Sequence, residues 1–314
     1  MTIQTPLRFL AGSVFALSLI VYGAPWSASQ VALAQDQSLF VAYTDIEGAS
    51  ITDMEATDVI VTWDDEECEI VELEPINWPL RVTLMVDTGT EAAQFLADIR
   101  VGLESFLDAL SPDIEVAIAT MGGGRVQHRT EPTSDREELR EGLSRVAPDR
   151  GSSAFFDGLY EVFEQVDEDK DRDYFPVVVM VAVGGAEGST RFKGRGSQQT
   201  MDRMNASGGT VHTLLLTGVS GAGARSTGRA QSQWGNDFAV ASRGSYQAIS
   251  DSSLFRTKLP ELAEKLNQKN TLVRHQYRIT YKPPRGASDQ PRIQMSTKRP
   301  GLTMWPTDNG NIQQ

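Results

Sequence analysis

The stretch LRVTLMVDTGTEAAQFLADIRVGLESFLDAL, residues 80–110, decides the fold. Leu80–Asp87 is an apolar run that closes on an acid, which reads as a buried strand. After Gly89 the pattern changes. Phe95, Leu96, Ile99, Leu103, Phe106, Leu107 and Leu110 recur every third or fourth position, the period of an amphipathic helix over 91–110. Strand followed by helix repeats downstream. Residues 114–120 read as a strand. Ser134, with Glu137 three residues on, opens a helix through a capping-box pattern and runs to about Val146. Residues 153–166 put Phe155, Leu159, Val162, Phe163 and Val166 on one helical face. Residues 177–183 are uninterruptedly apolar, as in a strand buried on both faces. Met201 and Met204 mark a short helix, 211–216 another strand, and 254–266 a helix presenting Leu259, Leu262 and Leu266. The alternation predicts a Rossmann-like α/β domain over 79–270, a mostly parallel sheet with helices on both faces.

The flanks read differently. An N-terminal β segment (35–78) offers strand candidates at 39–44, 59–63 and 69–73. A C-terminal β segment (271–306) offers 276–281, with Tyr277, Ile279 and Tyr281 on one face, then 292–296 and 302–305. Neither flank buries much alone, so the two are expected to pair into a small β-sandwich with the α/β domain inserted between them. Residues 307–314 are expected to form a flexible tail.

Composition narrows the function. The chain has 314 residues, 40% hydrophobic and 23% charged, which excludes a disordered polymer. A formal net charge of −13 excludes a general nucleic-acid binder, which needs a basic face. One Cys and three His are too few soft ligands for a zinc or iron–sulfur site and allow no intramolecular disulfide. Residues 1–34 hold no acid and one base, Arg8, then an apolar stretch at 9–22 and Ala32-Leu33-Ala34. That order predicts a signal peptide cut after Ala34 and a secreted or periplasmic protein. The alternative, a retained anchor, fits less well, because Gly12, Ser13 and Ser18 interrupt the stretch and Gly23 and Pro25 break it. No second apolar span follows.

Three motifs carry a resemblance: VDTGT beginning at Val86, GSSAFFDGLYE at 151–161 and PVVVMVAVGG at 176–185. Their order resembles a von Willebrand factor A (VWFA) domain, in which a first strand ends D-x-S-x-S, a GGTALYDAL-like segment starts a helix and a later strand ends T-D-G. The flanks VAYTDIEGASITDMEATDVIVTWDDEECEIVEL (41–73), RHQYRITYKPP (274–284) and KRPGLTMW (298–305) resemble those of the secreted VWFA-related proteins abundant in acidobacteria. The resemblance covers about 38–305. It implies a rim of loops at the strand carboxyl ends and a metal-ion-dependent adhesion site there, where an Asp, two Ser, a Thr and a second Asp hold Mg²⁺. Carried over residue by residue, Asp87 is kept. The serines fall on Gly89 and Glu91, the threonine on Ser153, and the second acid on Gly184, or on Val183 if the register slips by one. The site is therefore expected to be degenerate, with no metal cofactor. If Mg or Mn binds at all, Asp87, Glu91 and Ser153 would hold it. Thr88 and Thr90 bring oxygens at the wrong offsets.

The same rim carries bases. Arg150 precedes 151–154, and Arg191, Lys193 and Arg195 follow Gly184-Gly185, while Arg225 and Arg229 lie in the Gly/Ser-rich segment 218–236. Guanidinium matches carboxylate geometry, so an acidic protein partner is expected on Asp87, Thr88, Thr90, Glu91, Ser152, Ser153, Gly184, Arg191, Lys193 and Arg195.

Other patterns fail. Asp167, Asp169 and Asp171 have calcium-loop spacing, but Arg172 and Val178 stand where Gly and Glu are needed. The acids 64–67 and Glu69 read as a solvated turn. Gly221 and Gly223 lack a third glycine in step, and Gly218-Val219-Ser220-Gly221-Ala222 is no nucleophile elbow. His128, expected in a loop, His212 and His275 have no placed nucleophile. Cys68 sits among acids that disfavour a thiolate, and an intermolecular disulfide stays open for it. The expected role is an exported, non-enzymatic protein–protein interaction module of adhesion or scaffold type. The alternatives are Mg- or Mn-dependent adhesion through a rearranged site, and an envelope hydrolase with a His and a Ser or Cys in hydrogen-bond reach.

Overall fold

The computed structural model describes residues 36–219, 224–286 and 291–312. The predicted signal peptide, 1–34, lies outside them, as do the Gly221/Gly223 motif and most of the rejected elbow. Among the described residues no helix is long and apolar enough to cross a membrane.

In chain order the elements are β1 (Gln37–Thr44), β2 (Val59–Trp63), β3 (Glu66–Glu67), β4 (Glu69–Ile76), β5 (Leu80–Asp87), α1 (Leu96–Ala109), β6 (Glu115–Gly122), β7 (Arg125–Thr133), α2 (Arg136–Ser144), α3 (Phe155–Glu168), β8 (Phe175–Val183), α4 (Arg195–Ala206), β9 (Thr210–Leu216), α5 (Ala224–Ala241), β10 (Ser245–Ile249), α6 (Phe255–Val273), β11 (Gln276–Lys282), β12 (Ile293–Thr297) and β13 (Thr303–Thr307). The central sheet runs β10-β9-β8-β5-β6-β7, parallel except for β7. Strand alternation divides its two cores. Val82, Leu84 and Val86 of β5 face α1 and α6, whereas Met85 faces Phe155, Leu159 and Phe163 of α3. α1 and α6 approach closely at Gly102, where a Cβ would lie 2.7 Å from the Phe255 carbonyl oxygen.

The flanks form two further sheets, β13-β1-β11-β4 and β12-β2-β3. β1 pairs with both β11 and β13, so the two ends of the chain meet by hydrogen bonding. Val41, Tyr43, Val59, Val61, Cys68, Tyr277, Ile279 and Tyr281 fill the core between them. Asp64 and Asp65 adopt positive φ at the turn between β2 and β3, which seats the acidic run on a tight hairpin.

Several expectations need correction. Residues 307–314 are not a loose tail as far as they are described. Thr307 ends β13, and Asn311 and Ile312 are buried against the α/β part. A polar sequence hid this, because the segment docks by hydrogen bonds rather than by apolar patterning. His128 sits in β7, not in a loop; an edge strand with few apolar residues gives little periodicity to read. Most of the Gly/Ser-rich segment 218–236 belongs to helix α5. Asp135, not Ser134, caps α2, its carboxylate accepting the Glu137 and Glu138 N–H groups.

Candidate functional site

Asp87 ends β5 at the carboxyl edge of the sheet and is only 2% exposed. Its Oδ1 accepts the Gly89 N–H at 2.9 Å and its Oδ2 the Val183 N–H at 3.2 Å. Burial pushes the carboxyl up to about 7, the two amides and the Ser153 hydroxyl pull it back, and the Glu187 charge adds to the rise. Ser153 is buried beside it. Its N–H donates to the Ala186 carbonyl at 2.9 Å, its carbonyl accepts the Gly188 N–H at 2.7 Å, and it bridges Glu187. The two central segments of the rim are thus stitched together by backbone.

The other expected residues are placed as follows. The buried Thr88 hydroxyl donates to Asp149 Oδ2 at 3.1 Å. Thr90 exchanges hydrogen bonds with Gly151, N–H to carbonyl at 2.9 Å and Gly151 N–H to its hydroxyl at 3.0 Å. Glu91 lies over Gly185, where a Cβ would come within 3.0 Å of its side chain. Ser152 takes the Gly124 N–H on its carbonyl at 2.9 Å. Gly184 donates to the Leu216 carbonyl at 2.8 Å. Arg191 is turned away from the rim: it pairs with Glu164, lies 3.8 Å from Glu161 and stacks 4.5 Å from the Tyr160 ring centre. So Asp87, Ser153, Glu91 and Gly184 come together, whereas Arg191 is already occupied. Lys193 and Arg195 are exposed and make no ion pair among the described residues.

Three groups that organise this edge were not singled out from the sequence. Glu187 is the only acid between 184 and 195, a usable signal. It is half-buried, its carboxyl raised chiefly by burial, and it accepts the Gln231 amide at 3.0 Å and the Ser189 N–H at 2.9 Å. Gln231 Oε1 accepts the Gly185 N–H at 3.2 Å, tying α5 to the loop. Asp157, buried at the start of α3, accepts the N–H groups of Thr190, Arg191 and Phe192 at 2.8, 2.9 and 3.0 Å. Arg125 also stands on this edge, because Gly122 pairs with it across the β6–β7 turn. With Arg150, Lys193, Arg195 and Arg229 it makes a set of exposed cations without ion-pair partners among the described residues.

The positions of the family's metal ligands carry few donors here, Glu91 being the one further acid beside Asp87. Asp87 supplies one carboxylate, and both its oxygens are turned onto backbone amides. The position of the first family serine is Gly89, where a Cβ would already lie 3.2 Å from Asp87 Oδ1, the Gly151 carbonyl and the Ser153 nitrogen. The second-acid position, Gly184, has no side chain. Among the described residues no group of three acidic, His or Cys side chains could hold a metal.

Among the described residues the catalytic candidates are placed as follows. His128 Nε2 lies 3.1 Å from Glu161 on the flank. His212 Nδ1 is 2.9 Å from Ser245 Oγ, but both lie toward the opposite, amino-terminal ends of the strands. Burial first, then Lys269 and Lys265, push that imidazole down to about 3, too weak a base for general-base work near neutral pH. Cys68 is buried in the β-part core, and burial raises its thiol, so it is not presented for an intermolecular disulfide.

A central sheet in the 3-2-1-4-5-6 order, with its third strand reversed and helices on both faces, gives the α/β part a doubly wound, Rossmann-like architecture, consistent with the fold that the sequence motifs imply. No protein-family model matches the chain, and no curated protein matches it. Among solved structures the chain is similar to von Willebrand factor type A from Catenulispora acidiphila, at 11% identity and a TM-score of 0.47 over 87% of this chain and 72% of that one. It is also similar to the conserved hypothetical protein BatB from Bacteroides thetaiotaomicron, at 14% identity and 0.45 over 60% and 98%. A third is the SpRpn10 VWA domain, at 14% and 0.42 over 60% and 97%.

Proposed function

We propose that this protein is an exported, non-enzymatic binding module that holds an acidic protein partner on its rim without a metal ion. The observation that carries the reading is the set Arg125, Arg150, Lys193, Arg195 and Arg229. These exposed cations lie in turns, loops and a helix that follow the strand carboxyl ends, on a chain whose net charge is −13. The rim acids are turned inward: Asp87 onto backbone amides, Glu187 onto Gln231 and Asp149 onto Thr88. Apart from the partly exposed Glu91, the exposed charges named here are guanidinium and ammonium, which suit carboxylate groups. Export rests on the 1–34 pattern, and the partner then lies in the cell envelope or outside the cell.

The test is crosslinking from a tagged, full-length copy in its native cell. The wild type should give a discrete adduct that polyglutamate competes away and that higher salt weakens. A Lys193→Glu/Arg195→Glu/Arg150→Glu variant should lose it. An adduct indifferent to polyglutamate and to the triple reversal would reject the reading.

A further inference from the structure

The chain returns after β13 to lie against the amino ends of the central strands. The approach is backbone on backbone: a Cβ at Gly208 would meet the Asn309 carbonyl oxygen at 2.3 Å. Asn311, 4% exposed, is gripped from several sides. Its Nδ2 donates to the Ser242 carbonyl at 2.8 Å and the Gly209 carbonyl at 3.3 Å, and Arg243 donates to its main-chain carbonyl at 2.8 Å. Its Oδ1 accepts from Lys269 Nζ at 2.6 Å and from Thr210 Oγ1 at 3.2 Å. Lys269 Nζ also donates to Thr210 Oγ1 at 2.8 Å. No carboxylate pairs with this buried ammonium among the described residues. An amine thus lies within hydrogen-bond distance of a carboxamide oxygen inside the protein, and the amide nitrogen is held as well.

We propose that Lys269 and Asn311 become joined by an intramolecular isopeptide bond. Lys269 Nζ, as the neutral amine, attacks Cγ of Asn311. The Nζ–Cγ bond forms, the Cγ–Nδ2 bond breaks, and Nδ2 leaves as ammonia, which carries off the proton that Lys269 gives up. Atoms and charge balance, and no oxidant or external reagent is needed. Burial, with the Arg243 charge adding to it, lowers the ammonium to about 8, so a useful share of the amine is free near neutral pH. Thr210 donates to the oxygen on which negative charge develops. His212, two residues along β9 and so on the same face as Thr210, is buried and neutral. Its Nε2 has no hydrogen-bond partner among the described residues, and as a weak base it leaves the proton to depart with the ammonia. The fold itself supplies the proximity that a bimolecular aminolysis lacks. The product closes α6 onto the segment after β13, enclosing β11, β12 and β13 in one loop. A chain with a single Cys cannot make such a closure by a disulfide.

The experiment is intact-mass spectrometry of the purified full-length chain, followed by tryptic mapping. The expected mass lies below that of the processed sequence by one ammonia, about 17 Da. A branched peptide should contain both residues, with no cleavage after Lys269. Lys269→Arg and Asn311→Ala should each restore the unmodified mass, and Thr210→Val should raise the unlinked fraction. Any wild-type fraction carrying the branched peptide supports the bond. An unmodified wild-type mass with ordinary cleavage after Lys269 overturns it, and that reading does not depend on whether the variants fold.

Discussion

Asp157 and Phe192 are linked by a hydrogen bond of 3.0 Å from the Phe192 N–H to Asp157 Oδ1, and the same carboxylate also takes the Thr190 and Arg191 amides. One buried acid at the start of α3 therefore fixes the loop that presents Lys193 and Arg195. Asp157→Ala leaves three amides without their acceptor. It should cost about 2–4 kcal/mol in chemical denaturation and speed hydrogen exchange at 190–192. Unchanged exchange there would show that the carboxylate does not hold the loop.

The rim cations separate by role. Lys193→Glu and Arg195→Glu touch no ion pair among the described residues and should leave stability within about 0.5 kcal/mol while removing partner capture. Arg191→Glu should behave differently. It breaks contacts to Glu164, Glu161 and Tyr160 and places a third acid among the first two, costing about 1–2 kcal/mol. Equal stability losses for all three variants would contradict this division.

On the proposed metal-free reading, adding Mg²⁺ or Mn²⁺ at millimolar concentration should leave Tm unchanged beyond the ordinary salt effect seen with K⁺. A saturable, ion-specific rise would mean that the native state binds the metal and would restore cation-dependent adhesion as the function.

His212 gives stability a pH slope. Its folded pKa, about 3, lies below the unfolded 6.5, so between these values the unfolded chain binds more protons than the native one. Stability is fully present above about pH 6.5 and is lost as pH falls toward 3, by at most about 1.4 kcal/mol per pH unit from this residue. The Asp87 carboxyl, raised to about 7, contributes the opposite slope over the same range, so the check compares urea titrations at pH 7 and pH 5 between wild type and His212→Asn: the wild type should lose more, or gain less, stability on acidification than the variant. An identical slope in the variant would assign the effect elsewhere.

Gly102→Ala tests the helix contact that backs the sheet. The added methyl meets the Phe255 carbonyl, which is backbone and cannot swing aside, so a cost of about 2–3 kcal/mol is expected. Gly158→Ala should cost less, because the nearest atom there is the flexible Met85 Cε. A reversal of that order in thermal melts would argue against the packing described.

The sequence by itself determined the strand–helix alternation, the buried strands at 80–87 and 177–183, and the β flanks. Apolar periodicity is a local property and survives without a partner. It also placed Asp87, Ser153 and Gly184 correctly at one edge, since the strand carboxyl ends follow from the alternation. Only the tertiary structure decided what lies between them. Edge strand β7 and helix α5 carry too few apolar residues to announce themselves. The pairing of Arg191 with α3 takes a cation off the rim that spacing alone put on it. Glu187–Gln231, Asp157 with its three amides, and Lys269–Asn311 are contacts between residues far apart in the chain. Their meaning comes from burial, which withdraws water and leaves each polar atom dependent on the neighbour the fold supplies.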